Sequence, residues 1–477
     1  MTSYSELFIG GKRVASLGSN MIEVRSPFDD SLVGTVPAAN KPDIDRAVDV
    51  ARAAFDRGPW PRMSPEARQA VLSRFLELYR PHVDDFARLI VQENGTPIGF
   101  SRLMLQVMDW QSQAYLSAAA DFTWVHRKRG MPMGESITVF DPVGVVAAII
   151  PWNAPHQGAT TKLFPALLAG CTVILKLAPQ TAVDGQVLGE LFKEAGLPDG
   201  VLSIVAADAD VSEYLVRHPG VDKIAFTGST VTGRRIASLA GEQLKRVSLE
   251  LGGKSAAIIM PDADVDKAID GLRLMAFGNN GQLCAAHTRV LVQRDRHDAF
   301  VSAFSENISA LKIGDPLDPE TAIGPLVSER QRQRVAGYID LGIKEGAHVA
   351  LGGPGMPDGM NRGAFVRPTL FSNVDNRMRV AREEIFGPVI CVIPYDNIEN
   401  AVHIANDSEY GLYGGVWASD KDEALAVASR LRTGGVSING ALPDFSAPFG
   451  GYKQSGIGRE YGAPGIAEYT EQKALIA

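Results

Sequence analysis

Apolar positions follow one texture before residue 143 and another after it. Near the start, Leu7-Phe8-Ile9-Gly10-Gly11-Lys12-Arg13-Val14 reads as a hairpin turning at the two glycines. Ile44, Val48, Ala51 and Phe55 recur at helical spacing behind Pro42-Asp43. A second helix begins at Ser64-Pro65-Glu66 and is expected to set Val71, Phe75 and Leu78 on one face. Phe122 to Arg127 and Ser136 to Phe140 can pair as a long hairpin around Gly130-Met131-Pro132. From Val143 the pattern becomes short continuous apolar runs. These are Val145 to Ile150, Val173 to Lys176, Leu202 to Val205 and Lys223 to Phe226, with helix-length segments between. Such runs suit strands buried on both faces of a parallel sheet. The alternation predicts a doubly wound α/β sheet of the dinucleotide-binding kind. A second α/β region starts near Ala256, with strands at Ala256–Ile259, Thr288–Val292 and Val389–Val392. No internal repeat or low-complexity linker interrupts it.

Composition narrows the class. A chain of 477 residues exceeds what one core usually supports, so two or more domains are expected. The 45% apolar and 21% charged fractions are ordinary for a globular protein. A net charge of −8 argues against nucleic acid as a partner. Arg127-Lys128-Arg129 reads as a solvated hairpin edge. Three cysteines, Cys171, Cys284 and Cys391, are too few and scattered for a disulfide framework. The first twenty residues lack a basic segment followed by an apolar run. The longest apolar stretch ends at Pro151, too short to span a bilayer. A soluble, cytoplasmic protein without a membrane partner is expected. The eight histidines form no ligand-spaced cluster, so no metal is expected.

Three segments carry chemistry. Glu250 lies in Leu249-Glu250-Leu251-Gly252-Gly253-Lys254-Ser255, and Cys284 in Gly281-Gln282-Leu283-Cys284-Ala285-Ala286. A thiol attacks carbonyl carbon as thiolate, and the acyl-sulfur product needs an activated water to leave. Cys171 and Cys391 sit in apolar strand-like surroundings and read as small buried hydrophobes. Cys284 instead follows Gly278-Asn279-Asn280-Gly281-Gln282, a polar loop expected to be flexible. Asn153, in Pro151-Trp152-Asn153-Ala154-Pro155, either steadies a turn or pairs its amide with the Cys284 N–H to hold an oxyanion. Glu250 is either a strand-end cap or the base that activates water. The glycines after it are expected to leave room for ligands. Gly253-Lys254-Ser255 also suggests a phosphate loop, but Ser248 stands where that motif needs glycine.

These segments, with Phe226-Thr227-Gly228-Ser229-Thr230, Glu383 to Val389 and Pro448 to Gly456, resemble the NAD(P)-dependent aldehyde dehydrogenase superfamily in order and spacing. The resemblance runs over nearly the whole chain. It implies an α/β fold with a Rossmann-type cofactor domain, residues 1–121 and 143–250, and a catalytic domain, residues 251–450. A small β oligomerisation element would comprise residues 122–142 and 451–477, with a tail strand near Lys473–Ile476, and a homodimer or homotetramer as the assembly. Cys284 would be the nucleophile, Glu250 the base and Asn153 the oxyanion donor. Lys162 would either relay protons or form a structural salt bridge. For the cofactor, Gly228 and Gly233 would let backbone approach a pyrophosphate at a helix N-terminus, with Ser229 on phosphate. Lys176 would touch the adenosine ribose, Glu384 the nicotinamide ribose and Phe386 the nicotinamide side, with Ile150 and Trp152 lining the cleft. Pro179 stands where many NAD-preferring relatives carry a glutamate, so NAD use is expected with NADP tolerated. Relatives that acylate coenzyme A typically lack the Glu250 carboxylate, which favours a free acid as product.

The same resemblance lets the pocket be read for size. Ala154, Gly158, Thr161 and Gly278 occupy places where relatives often carry larger side chains, and Leu283 and Ala285 flank the nucleophile. A wide cavity is expected, suited to a bulky apolar aldehyde that is aromatic, terpenoid or long-chain. The opposing expectation is that loop Ala441–Ser446, with Leu442 and Phe445, folds inward and refills it. A small aliphatic aldehyde, a betaine-type aldehyde held by Trp110 and Phe445, or a non-catalytic relative remain as alternatives.

Overall fold

The computed structural model describes residues 2–476, built on four sheets. The largest runs in the order Gly456–Ile457, Arg246–Glu250, Lys223–Thr227, Val145–Ile149, Thr172–Leu177, Leu202–Ala206, Leu7–Ile9 and Lys12–Val14. Its five central strands are parallel. The chain enters at Val145–Ile149, adds two strands on one side, then returns to add Lys223–Thr227 and Arg246–Glu250 on the other. That reversal makes a crevice beyond the carboxyl ends of Val145–Ile149 and Lys223–Thr227, where doubly wound sheets bind ligands. Every residue of Val145–Ile149 and Thr172–Leu177 is buried, because helices cover both faces. One core joins Val146 and Ala148 to Leu72, Phe75 and Phe164. The other joins Val145, Ala147 and Ile149 to Ile44, Val48 and Ala51.

The second sheet orders His348–Leu351, Thr369–Ser372, Val389–Tyr395, His287–Gln293, Ser255–Ile259, Gly414–Trp417 and Ser437–Ile438, also with a core on each face. A third sheet pairs Thr470–Ile476 with Glu135–Pro142 and that strand with Val125–Arg129. Within residues 451–477, Gly456–Ile457 leaves this small sheet and pairs with Leu249–Glu250 in the first.

Local chemistry explains two shifts from the sequence reading. Asn40 caps helix Lys41–Arg57 in a reciprocal box with Asp43, so the helix starts just ahead of Pro42. Helix Pro65–Tyr79, capped by Ser64, buries Arg68, Leu72, Phe75, Leu76 and Tyr79, while Val71 and Leu78 are only half-buried. The inward face is rotated because the Arg68 guanidinium donates to the Leu168 carbonyl at 2.8 Å and Tyr79 bonds His156 at 2.6 Å. The small hairpin starts at Val125, not Phe122. The rings of Phe122 and Trp124 pack at a tilt, 4.6 Å apart, with Phe140 edge-on at 5.3 Å from Phe122.

Candidate active site

Cys284 lies between helix Val265–Phe277 and strand His287–Gln293. The loop before it is not flexible in the way its polar residues suggest. Asn279 and Asn280 are buried and both adopt left-handed backbone, φ 52° and 59°. Asparagine tolerates that region better than other side chains with a Cβ. Its amides also hold the turn. Asn280 Nδ2 donates to the carbonyls of Gly95 and Pro325 at 3.1 and 2.8 Å, and its Oδ1 accepts from the Gly324 N–H at 2.7 Å. Asn279 Nδ2 donates to the Asn153 carbonyl at 2.8 Å. The polar residues are the fastening of a rigid loop.

This fastening brings Asn153 to the nucleophile. Asn153 Nδ2 donates to the Gln282 carbonyl at 2.9 Å, leaving its second amide hydrogen for a ligand. Among the described residues, no backbone carbonyl accepts from the Cys284 N–H. The two expected oxyanion donors therefore stand beside one loop. Burial, then the charges of Glu384 and Glu250, pushes the Cys284 thiol up to about 12. The resting thiol is protonated, so attack needs a group that removes its proton.

Glu250 ends strand Arg246–Glu250 and is 4% exposed. Its Oε2 has no hydrogen-bond partner. Burial raises its carboxyl well above the ordinary range, and the Glu460 charge adds to this, opposed by Lys162 and Arg459. Lys162 is 1% exposed and donates to Glu460 Oε1 at 2.8 Å. The lysine is thus in a salt bridge, and that bridge borders the base. The glycines after Glu250 serve packing more than ligand entry. A Cβ on Gly252 would lie 2.5 Å from the Glu384 carboxylate, and one on Gly253 2.3 Å from the Cys284 carbonyl. They let the nucleophile loop and Glu384 close onto the strand end. Cys171 and Cys391 are buried, with sulfurs against the Tyr469 and Val380 carbonyls.

The crevice at the sheet reversal holds the residues expected for a dinucleotide. Ser229 caps the exposed N-terminus of helix Thr230–Gly241 by accepting from the Thr232 N–H. The helix end presents backbone N–H groups and its dipole to an anion. Lys176 leads out of the neighbouring strand, 8% exposed, and burial lowers its ammonium to about 8. Glu384 accepts from the Gly253 N–H at 3.0 Å, and burial raises its carboxyl to about 7. Trp152 and Phe386 meet edge to face at 5.4 Å, and Ile150 continues the strand beneath them. This donor and acceptor set fits a pyrophosphate flanked by two riboses. Gly233 departs from expectation. A Cβ there would strike Leu251 at 2.4 Å, so this buried glycine serves helix–strand packing. Gly228 is half-buried at the turn, where a Cβ would meet the Phe226 ring at 2.4 Å.

The pocket wall is mixed. A Cβ on Gly158 would meet Ile150 at 3.8 Å, an ordinary van der Waals contact, so a methyl group fits there without strain. Ala154 lines a small cavity with Asn153, Met104 and Gln157. At Gly278, however, a Cβ would lie 2.7 Å from the Phe100 ring. A phenyl group from helix Ile98–Asp121 fills the room that the missing side chain would leave. Thr161 is buried and bonded to the Gln157 carbonyl at 2.8 Å. Leu283 and Ala285 are half-buried beside the thiol. The loop Ala441–Ser446 divides. Phe445 packs on Tyr461 at 5.3 Å, while Leu442 is 59% exposed. Glu460, Phe100 and Phe449, whose ring lies 5.2 Å from Tyr461, were not singled out from the sequence. Among the described residues, no helix is long and apolar enough to cross a membrane, and no cluster of three or more His, Cys, Asp or Glu side chains is placed to hold a metal.

Comparison with known proteins follows this geometry. The family model described as "Aldehyde dehydrogenase family" matches residues 14–475. The chain is 43% identical to geranial dehydrogenase of Castellaniella defragrans, over 99% of this chain and 98% of that protein. An aldehyde dehydrogenase of Mycobacterium tuberculosis, solved with NAD+, superposes with a TM-score of 0.96 at 45% identity, covering 100% and 98% of the two chains. A mutant aldehyde dehydrogenase C of Pseudomonas syringae, solved with NAD+ and octanal, gives 0.94 at 40% identity over 99% and 96%. The chain thus shares its fold and much of its sequence with aldehyde dehydrogenases, and it belongs to the aldehyde dehydrogenase family.

Proposed function

We propose that this protein oxidises an aldehyde to its free carboxylic acid with NAD, through a covalent thioester on Cys284. The observation that carries the reading is the buried Glu250 carboxylate with an unpartnered oxygen, close enough to raise the Cys284 thiol. Cys284, once deprotonated, forms a bond from sulfur to the carbonyl carbon. The oxygen takes the negative charge, held by the Asn153 amide and the Cys284 N–H. NAD, when bound, supplies the hydride acceptor. Loss of hydride from that carbon leaves the thioester. Glu250 then takes a proton from water as the water oxygen attacks the thioester, releasing acid and restoring sulfur. The Lys162–Glu460 pair lies next to Glu250 and gives that proton a route away from the cleft.

Ser229, Lys176, Glu384, Trp152 and Phe386 are the residues that would hold the dinucleotide, and both solved relatives named above contain NAD+. Pro179 starts a short turn without charge, so a 2′-phosphate meets no repulsion there and NADP is tolerated. For substrate, the small residues Ala154 and Gly158 support a bulky apolar aldehyde: aromatic, terpenoid or long-chain. The names geranial and octanal among the relatives point the same way. A betaine-type cation lacks support, because Trp110 is 42% exposed on its helix and the Phe445 ring is engaged by Tyr461. The exposed strand Val125–Arg129 leaves a free sheet edge, which supports a homodimer or homotetramer. Its three free thiols suit a reducing compartment such as the cytoplasm.

The test is to follow the reduced-nicotinamide absorbance with geranial, octanal, benzaldehyde and acetaldehyde. Turnover with the first three at higher kcat/KM than acetaldehyde is expected. A clear preference for acetaldehyde overturns the bulky-substrate reading, and no reduction with any aldehyde overturns the activity.

A further inference from the structure

Helix Pro155–Ala169 is buried almost throughout, and its polar side chains near the pocket form a directed chain. The Thr161 hydroxyl donates to the Gln157 carbonyl one turn back, at 2.8 Å. Its one hydrogen is thereby used, so Thr161 Oγ1 can only accept from Gln111, and Gln111 Nε2 is the donor there. This fixes the Gln111 amide, whose Oε1 then faces Gln157 and accepts from Gln157 Nε2 at 3.4 Å. The direction of every amide is set by one helical hydrogen bond. At the end of the chain Gln157 must turn its carbonyl oxygen outward. That oxygen has no donor among the described residues, and it is not a sealed atom. Gln157 is half-buried and lines the cavity that also contains Asn153, Ala154 and Met104.

Building on the aldehyde-oxidising reading of this site, we infer that Gln157 is a specificity-determining acceptor for a hydroxyl group on the aldehyde. Asn153 holds the carbonyl oxygen just ahead of helix Pro155–Ala169, and Gln157 stands in the first turn of that helix. The preferred class is therefore an otherwise apolar aldehyde with a hydroxyl near the far end of a ring or short chain. Met104 and Ala154 give this end of the site an apolar side, and a single acceptor reads the tip. A desolvated carbonyl oxygen facing a methyl group would lose its water without replacement, which is how a buried acceptor discriminates.

The experiment compares 4-(hydroxymethyl)benzaldehyde with 4-ethylbenzaldehyde, which are nearly equal in shape, using the whole protein and NAD. The ratio of their kcat/KM values is the readout. The wild-type protein is expected to prefer the hydroxylated aldehyde, and Gln157→Met to lower the ratio by about 3- to 10-fold. Thr161→Val, which frees the Gln111 amide to rotate, is expected to lower it by less. A ratio unchanged in Gln157→Met overturns the inference. So does a wild-type preference for the ethyl compound, which settles the matter even if the variants fail to fold. Equal oxidation of both aldehydes would sink this inference alone; no oxidation of any aldehyde would sink the reading beneath it.

Discussion

Two buried carboxyl pairs flank helix Pro155–Ala169, and they behave differently. Around Lys162, Glu460 pairs with the buried cation, and nearby Glu250 keeps an unpartnered oxygen next to the thiol. Around His156, Glu93 and Asp184 face each other without any cation. Glu93 accepts from the Val183 N–H at 2.9 Å, and Asp184 Oδ2 lies 3.6 Å from His156 Nε2. Burial lowers that imidazole to about 4, so it stays neutral beside the carboxyl pair. Burial raises the Asp184 carboxyl to about 8. Carboxyl pKa values raised by burial mark both clusters, yet one borders the nucleophile and the other is sealed in the core. The difference teaches that burial dominates the protonation state, and access to reacting atoms decides whether it becomes chemistry.

Substitutions can break or sharpen this contrast. The largest effect belongs to Cys284→Ala, which should abolish aldehyde oxidation while dinucleotide binding, measured by fluorescence titration, stays close to wild type. Glu250→Gln should lower steady-state turnover by about 10²- to 10⁴-fold. A burst of one reduced nicotinamide per site should survive it, seen in stopped flow, if Glu250 acts on water and not only on the thiol. Glu460→Gln removes a negative neighbour that raises Glu250, so the rise of kcat with pH should move to lower pH, by about one unit or less. In the sealed cluster, Asp184→Asn should leave kcat within about twofold. The folded chain holds that carboxyl protonated up to about pH 8, whereas the unfolded chain ionises it near its ordinary 3.8. Stability from this group is therefore full at low pH and declines as pH rises from about 4 to 8. The amide should flatten that decline, raising stability at pH 8 by roughly 1–3 kcal/mol in thermal melts. Equal effects of Glu460→Gln and Asp184→Asn on the kcat profile would erase the contrast.

Legibility in the sequence tracked locality. Cys284, Glu250 and Asn153 each sit in a short segment whose neighbours explain them, and the parallel strands announce themselves as apolar runs. Glu460 gave no signal, because its partner Lys162 is 298 residues away in the chain. Gly278 was misread as empty space because the ring that fills it comes from Phe100 on a different helix. Gly233 looked like a phosphate-loop glycine, yet Leu251 demands its missing Cβ. The Asn279-Asn280 loop looked mobile since composition shows polarity but not the carbonyls of Gly95 and Pro325 that bind it. What the sequence withholds is which distant segment arrives at each site.

Strand Gly456–Ile457 closes the edge beside Glu250, and Glu460 follows it within a turn. During synthesis the ribosome therefore delivers the thiol long before it delivers the partners that complete its surroundings. A nascent or truncated chain ending ahead of Gly456 carries the sulfur but leaves the Glu250 strand without its outer neighbour and Lys162 without its counter-ion. The surroundings of Glu250 are thus completed by a segment made well after the sulfur itself.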